Sequence, residues 1–216
     1  MLIKRIKYSI VFLQVLLVLA FVTTCVYAED IKEVVGRGSN YVKERKYSEA
    51  IEEFTKALQS EPNDPSLYYY RGFCYARNKN PDMAIIDLTK SIEINPNVPL
   101  VYYDRGFEYY KKDKFDDAIA DFNKALELKP DFASVYYDRA LTFWAKGDFD
   151  QSLSDYNKAL ELDPKLTGIY TERANIYYKK KNYDLAWEDV HKAQELGIVV
   201  DVPFLEALKK DSGRDK

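Results

Sequence analysis

The sequence of 216 residues contains one histidine and two cysteines, so few side chains are suited to catalysis or metal binding. His191 has no cysteine or second histidine at the spacing of a metal site, and no serine or cysteine is paired with it as a nucleophile would be. Glycine-rich phosphate loops are also absent. We therefore expect no enzyme activity, no cofactor and no metal.

Positive charge is not in excess either. The chain has 32 lysines and arginines against 35 acidic residues, which gives a formal net charge of −3. No stripe of basic residues is present that could follow a phosphate backbone. We expect no nucleic-acid partner.

Long uncharged stretches are confined to the N-terminus. Three basic residues precede an apolar run at residues 10–22, and Val26 and Ala28 are small residues three and one positions before Glu29. This pattern predicts a secretory signal peptide, residues 1–28, cleaved after Ala28. The mature chain would be secreted or periplasmic, with a net charge of −6 and a single cysteine.

Two alternatives remain open for the N-terminal segment. In the first, residues 8–28 stay attached as a membrane anchor, since they are just long enough to span a bilayer, and the rest of the chain faces the extracytoplasmic side. In the second, Cys25 carries a lipid, although the threonine before it fits a bacterial lipobox poorly. Membrane contact is expected only through this segment.

The rest of the chain repeats every 34 residues without insertion or deletion. Each repeat has two amphipathic helical patterns separated by a polar turn, and a proline follows the second pattern in four of five copies. In residues 99–132 the repeated positions are Tyr102, Gly106 and Tyr109, then Ala118, Phe122 and Ala125, then Pro130. The five copies are residues 31–64, 65–98, 99–132, 133–166 and 167–200.

This succession of aromatic, small and proline positions resembles the tetratricopeptide repeat (TPR) family, over roughly four fifths of the chain. The resemblance implies an all-α fold: a right-handed α-solenoid of five helix-turn-helix repeats whose first helices line a concave groove. Residues 201–216 lie beyond the repeats. Asp201 and Pro203 predict the start of a capping helix that ends near Lys210, followed by a charged, disordered tail.

Two polar positions recur in every repeat. An arginine stands in each first helix, at Arg37, Arg71, Arg105, Arg139 and Arg173. An acid stands in each second helix, at Glu53, Asp87, Asp121, Asp155 and Asp189. This register predicts arginine–carboxylate pairs within or between hairpins. A row of arginines that binds an acidic ligand is the alternative.

A stripe of aromatic residues beside the packing face of the first helices is the candidate binding site. It consists of Tyr69, Phe73, Tyr103, Phe107, Tyr110, Tyr137, Trp144 and Tyr178, with Asp104 and Asp138 next to it. We call these ten the groove residues, because the family resemblance places them in the concave groove. About half of the rings are expected to pack against the next hairpin, and the others to remain accessible.

The sequence therefore predicts an extracytoplasmic scaffold that holds a peptide or helix of a partner protein on the groove residues. Some proteins of this family clamp a C-terminal carboxylate with cationic side chains, which are absent from the matching positions here. Glycan or cell-wall polymer binding is the alternative, since sugar rings stack on tyrosine and tryptophan while carboxylates accept hydrogen bonds from hydroxyls.

Overall fold

The computed structural model of the protein describes residues 31–214. This part of the chain folds into eleven α-helices without a β-strand. In chain order they are α1 (Ile31–Lys43), α2 (Tyr47–Ser60), α3 (Pro65–Arg77), α4 (Pro81–Ile94), α5 (Pro99–Lys111), α6 (Phe115–Leu128), α7 (Ala133–Lys146), α8 (Phe149–Leu162), α9 (Ile169–Lys179), α10 (Tyr183–Glu195) and α11 (Val202–Ser212). Helices α1 and α2 lie in one compact unit, and α3 to α11 lie in a second.

The turn inside each hairpin has the same backbone conformation. One residue per turn has a positive φ: Arg45, Lys79, Asp113, Gly147 and Lys181. In the turn from α5 to α6, the Lys114 N–H donates to the carbonyl oxygen of Tyr109 at 3.0 Å, which satisfies one of the last carbonyls of α5. Four of the five turns hold a non-glycine residue in this conformation, at a cost of about 1–2 kcal/mol each.

Small residues let the two helices of a hairpin approach closely. Ala118, Phe122 and Ala125 are fully buried, as the repeat pattern predicts. On the facing helix, a Cβ atom at Gly106 would stand 2.9 Å from Cε1 of Phe122, closer than real side-chain contacts. Glycine at this position therefore allows the large Phe122 ring to sit between α5 and α6.

The C-terminal helix α11 packs on the last repeat. Asp201 caps its N-terminus by accepting a hydrogen bond from the Phe204 N–H at 3.2 Å, and Leu208 is fully buried in a cluster that includes Trp187. The helix continues to Ser212, whose hydroxyl accepts from Trp187 Nε1 at 3.1 Å. Asp211 and Ser212 thus belong to the helix, whereas the sequence pattern assigned them to a disordered tail.

The predicted signal peptide, residues 1–28, lies outside the described residues, so its cleavage, retention or lipidation stays a prediction. Among residues 31–214, no helix is both long enough and apolar enough to cross a membrane.

Candidate functional site

The recurring arginines bind the recurring carboxylates within each hairpin. Arg105 shows the geometry: its Nε and Nη2 donate to the two carboxylate oxygens of Asp121, both at 2.7 Å. The other two-bond pairs of the second unit are Arg71–Asp87, Arg139–Asp155 and Arg173–Asp189. In the first unit Arg37 donates to Glu53. The predicted arginine–carboxylate pairing is confirmed.

The third guanidinium nitrogen of three of these arginines reaches the preceding hairpin. Nη1 donates from Arg105 to Thr89 (3.0 Å), from Arg139 to Asn123 (2.5 Å) and from Arg173 to Asn157 (2.5 Å). Together with the carboxylate bonds, they use three of the five N–H groups of each of these guanidinium groups and neutralise its charge, so the structure favours pairing over anion binding. His191 stands at the repeat position of Thr89, Asn123 and Asn157, in the last repeat before α11. Its ring is exposed and stacks on Trp187.

Tyrosine hydroxyls join the groove residues of adjacent repeats. The Tyr103 hydroxyl on α5 donates to Oδ2 of Asp138 on α7 at 2.7 Å. Tyr69 lies beside Asp104 in the equivalent position one repeat earlier. Burial raises the pKa of Asp138, and the hydrogen bond from Tyr103 lowers it by less. These four groove residues therefore meet in pairs that hold α3, α5 and α7 in register.

Two of the groove rings are exposed. Phe107 on α5 retains 37% of its surface, and Trp144 on α7 retains 39%. The Phe107 ring also stacks on Tyr110 with a centroid separation of 6.3 Å. Exposed aromatic rings of this size are the usual anchors of a binding surface.

The other groove rings are half-buried. Tyr137 packs on Tyr156, with ring centroids 5.8 Å apart. Tyr178 contacts α11: its hydroxyl donates to Asp211 at 2.6 Å, and its ring meets Phe204 edge-on at 5.6 Å. The C-terminal helix therefore occupies the surface of Tyr178 that a following repeat would contact.

Helices α3, α4 and α5 enclose a cavity of about 420 Å³ in the middle of the groove residues. Its apolar lining is Phe73, Ala76, Leu88, Tyr103 and Phe107, and its charged lining is Arg77, Asp104, Glu108 and Lys111. Four of the nine are predicted groove residues. Cavities of this size are typical of sites for a small ligand or a single side chain.

The cavity is lined by two residues of the second repeat that are smaller than most of their counterparts in the later repeats. Ala76 stands at the position of Tyr110, Trp144 and Tyr178 in the later repeats. Leu88 stands at the position of Phe54, Phe122 and Tyr156. This difference in size is visible when the repeats are compared with one another, whereas the aromatic stripe alone does not reveal it.

The charged groups of the cavity are not equally satisfied. Lys111 donates to both carboxylate oxygens of the buried Glu108 at 2.7 Å. The Arg77 guanidinium lies over the Phe73 ring, 5.1 Å from its centroid. Oδ2 of Asp104, by contrast, is buried and has no hydrogen-bond partner. Burial raises the pKa of Asp104 to about 6, although Tyr69 and Arg77 lower it.

Nucleophiles and metal ligands do not cluster in the described chain. Cys74 is fully buried, and burial raises the pKa of its thiol to about 12, which keeps it protonated and unreactive. Residues 31–214 contain no group of three or more His, Cys, Asp or Glu side chains arranged to hold a metal ion.

Comparison with known families and structures agrees with the repeat pattern. Two family models match. The one described as TPR repeat matches residues 38–79 and 106–147, and the one described as tetratricopeptide repeat matches residues 65–98 and 133–166. The chain contains tetratricopeptide repeats. A comparison with the sequences of curated proteins gives no match.

Several solved structures share this fold. The crystal structure of MamA is 23% identical, with a TM-score of 0.70 over 82% of this chain and 96% of that chain. MamA 41-end from Desulfovibrio magneticus RS-1 is 20% identical, with a TM-score of 0.75 over 79% and 96%. Pseudomonas aeruginosa pilF is 18% identical, with a TM-score of 0.71 over 86% and 85%. Such similarity shows the fold alone, and it confirms the expected all-α TPR solenoid.

Proposed function

We propose that the protein is a non-enzymatic scaffold outside the cytoplasm, which binds a segment of a partner protein across helices α3, α5 and α7. Tetratricopeptide repeats generally bind protein partners, and this proposal adds the location and the surface. The observation that carries it is the cavity between α3 and α5, with Phe107 exposed on its lining and Trp144 exposed on α7.

The distribution of polar groups favours a polypeptide over a glycan as the ligand. A glycan site needs carboxylates that are free to accept hydrogen bonds from several sugar hydroxyls. Asp138 already accepts from Tyr103, and Glu108 is already paired with Lys111, which leaves Asp104 as a single carboxylate among these three. Apolar rings with a few polar groups between them suit the side chains of a peptide or helix better.

A capture experiment with a groove variant tests the binding proposal. We expect an immobilised wild-type chain to capture a protein from the envelope fraction of its native host. Phe107→Ala with Trp144→Ala should reduce that capture about tenfold or more, because both exposed anchors are lost. Ile86→Ala is the control, since Ile86 on α4 is 59% exposed and is not a groove residue.

Three outcomes of the capture experiment are informative. Loss in the groove variant with full capture by Ile86→Ala supports the proposal. Equal capture by all three chains contradicts it. Retention of the wild-type chain on isolated cell-wall polymer, abolished by the groove variant, would establish the glycan alternative instead.

The location outside the cytoplasm rests on the predicted signal peptide. Protein purified from the native host should begin at Glu29, because cleavage is expected after Ala28. Mass spectrometry of the intact chain measures this directly. A chain that begins at Met1 in the membrane fraction would favour the anchor, a lipidated Cys25 would favour the lipoprotein, and an unprocessed chain in the cytoplasm would contradict export.

A further inference from the structure

We infer that the cavity between α3 and α5 binds the side chain of a lysine from the partner protein, with its ammonium group paired with the carboxylate of Asp104. This inference rests on the proposed function, because it specifies what the groove residues recognise. It concerns the chemistry of one side-chain position and leaves the identity of the partner open.

The first observation is the shape of the cavity. The later repeats carry a large aromatic residue at the position of Ala76. Most of the residues equivalent to Leu88 in the other repeats are also aromatic. Ala76 and Leu88 occupy less volume than the aromatic residues at both positions of the third and fourth repeats, which leaves this space. A volume of about 420 Å³ accommodates one long side chain together with some water.

The second observation is the unsatisfied acceptor. Oδ2 of Asp104 is buried without a hydrogen-bond partner while its carboxyl group lines the cavity. A buried acceptor without a donor is costly, and most native structures avoid it. A cationic group in the cavity, beside the accessible part of the Asp104 carboxylate, would compensate its charge.

The third observation is the position of the other charges. Both acids that face the cavity, Asp104 and Glu108, are more buried than the two cations, Arg77 and Lys111, which are exposed. Glu108 is satisfied by Lys111, so Asp104 is the acid left for a ligand. The more buried charged groups of the lining are therefore acids, which favours a cationic ligand.

The fourth observation is the lining of the cavity. Phe73, Tyr103 and Phe107 line the same cavity as Asp104 and present aromatic surface there. The four methylene groups of lysine can pack on these rings while the ammonium group extends beyond them. Arginine also donates to carboxylates, but its planar head is best matched by two accessible acceptor oxygens, and Oδ2 of Asp104 is buried.

The test compares three short peptides that differ at one central residue: lysine, norleucine and glutamate. Norleucine has the same alkyl stem as lysine but ends in a methyl group. Binding is measured by NMR titration of the whole chain at about pH 7.5, where Asp104 is ionised because its pKa is about 6. We expect the lysine peptide to bind about tenfold more tightly than the norleucine peptide, which is typical of a hydrogen bond between charged groups.

Three protein variants separate the contributions. Asp104→Asn should remove the preference for lysine while binding of the norleucine peptide persists. Ala76→Tyr, which introduces the residue found in the third and fifth repeats, should fill the cavity and abolish binding of both peptides. Ala120→Tyr, on the exposed face of α6, is the matched control and should bind as the wild type does.

Each other result overturns the inference. Equal binding of the lysine and norleucine peptides would leave a groove that binds polypeptides without selecting an ammonium group. Tighter binding of the glutamate peptide would make Arg77 and Lys111 the recognition groups. Full binding to Ala76→Tyr, with an unchanged melting temperature, would place the peptides elsewhere. If no peptide binds wild type but the capture experiment succeeds, the lysine site fails and the proposed function stands.

Discussion

Replacement of Arg105 by alanine should lower the free energy of unfolding by about 3–5 kcal/mol, which is typical when one partner of a buried ion pair is removed. The side chains of Arg105 and Asp121 are 16% and 8% exposed. Without the guanidinium, Asp121 keeps its buried position but loses both hydrogen bonds, and the contact with Thr89 of the preceding hairpin is lost too. Urea denaturation followed by circular dichroism measures the loss.

The pH dependence of this loss identifies its cause. Burial already raises the pKa of Asp121 in the wild type, because it outweighs the opposing effect of Arg105. In Arg105→Ala the lowering effect of Arg105 is lost, while burial and the nearby Asp117 charge still raise the pKa of Asp121, so the folded state binds a proton on Asp121 more readily than the unfolded state does. The destabilisation should therefore be full at about pH 8 and become smaller as the pH falls towards about 5.

An exposed ion pair provides the matched control for Arg105. Lys112 on the turn after α5 pairs with Asp82 of the preceding repeat, whose side chain is 71% exposed. Lys112→Ala should cost only about 0–1 kcal/mol, since water solvates both charges. Equal, small losses in Arg105→Ala and Lys112→Ala would show that the arginine–carboxylate pairs do not stabilise the repeats.

Replacement of Trp144 by alanine should weaken partner binding by about 2 kcal/mol or more while it disturbs folding much less. Trp144 is 39% exposed, so the folded chain leaves much of the indole ring accessible to a partner. The part of the ring that is buried should cost about 1–2 kcal/mol of stability when it is removed. Isothermal titration with the captured partner and thermal denaturation of the same variant give both quantities.

Phe122 supplies the reference for a core residue. Its ring is fully buried between α5 and α6, and Phe122→Ala should cost about 3–5 kcal/mol of stability because a cavity remains. If Trp144→Ala loses as much stability as Phe122→Ala and its folded fraction binds the partner normally, Trp144 belongs to the core. The groove proposal would then lose its largest exposed ring.

The sequence by itself determined the helices, the 34-residue period, the fold class and the arginine–carboxylate pairs. These features depend on contacts within one hairpin: Arg105 and Asp121 are 16 residues apart, and Gly106 faces Phe122 at the same separation. Periodicity within a single repeat is enough to predict them, and five copies of the same pattern reinforce the prediction.

Only the tertiary structure decided which groove residues are accessible. Exposure of a ring depends on a side chain about one repeat away: Tyr103 is held by Asp138, and Tyr178 is covered by α11 through Asp211. The cavity depends on Ala76 and Leu88, two residues on different helices that matter because a third helix, α5, lies opposite them. The unpaired oxygen of Asp104 is likewise a result of packing, since a sequence specifies which polar groups are present but not which of them lack a partner.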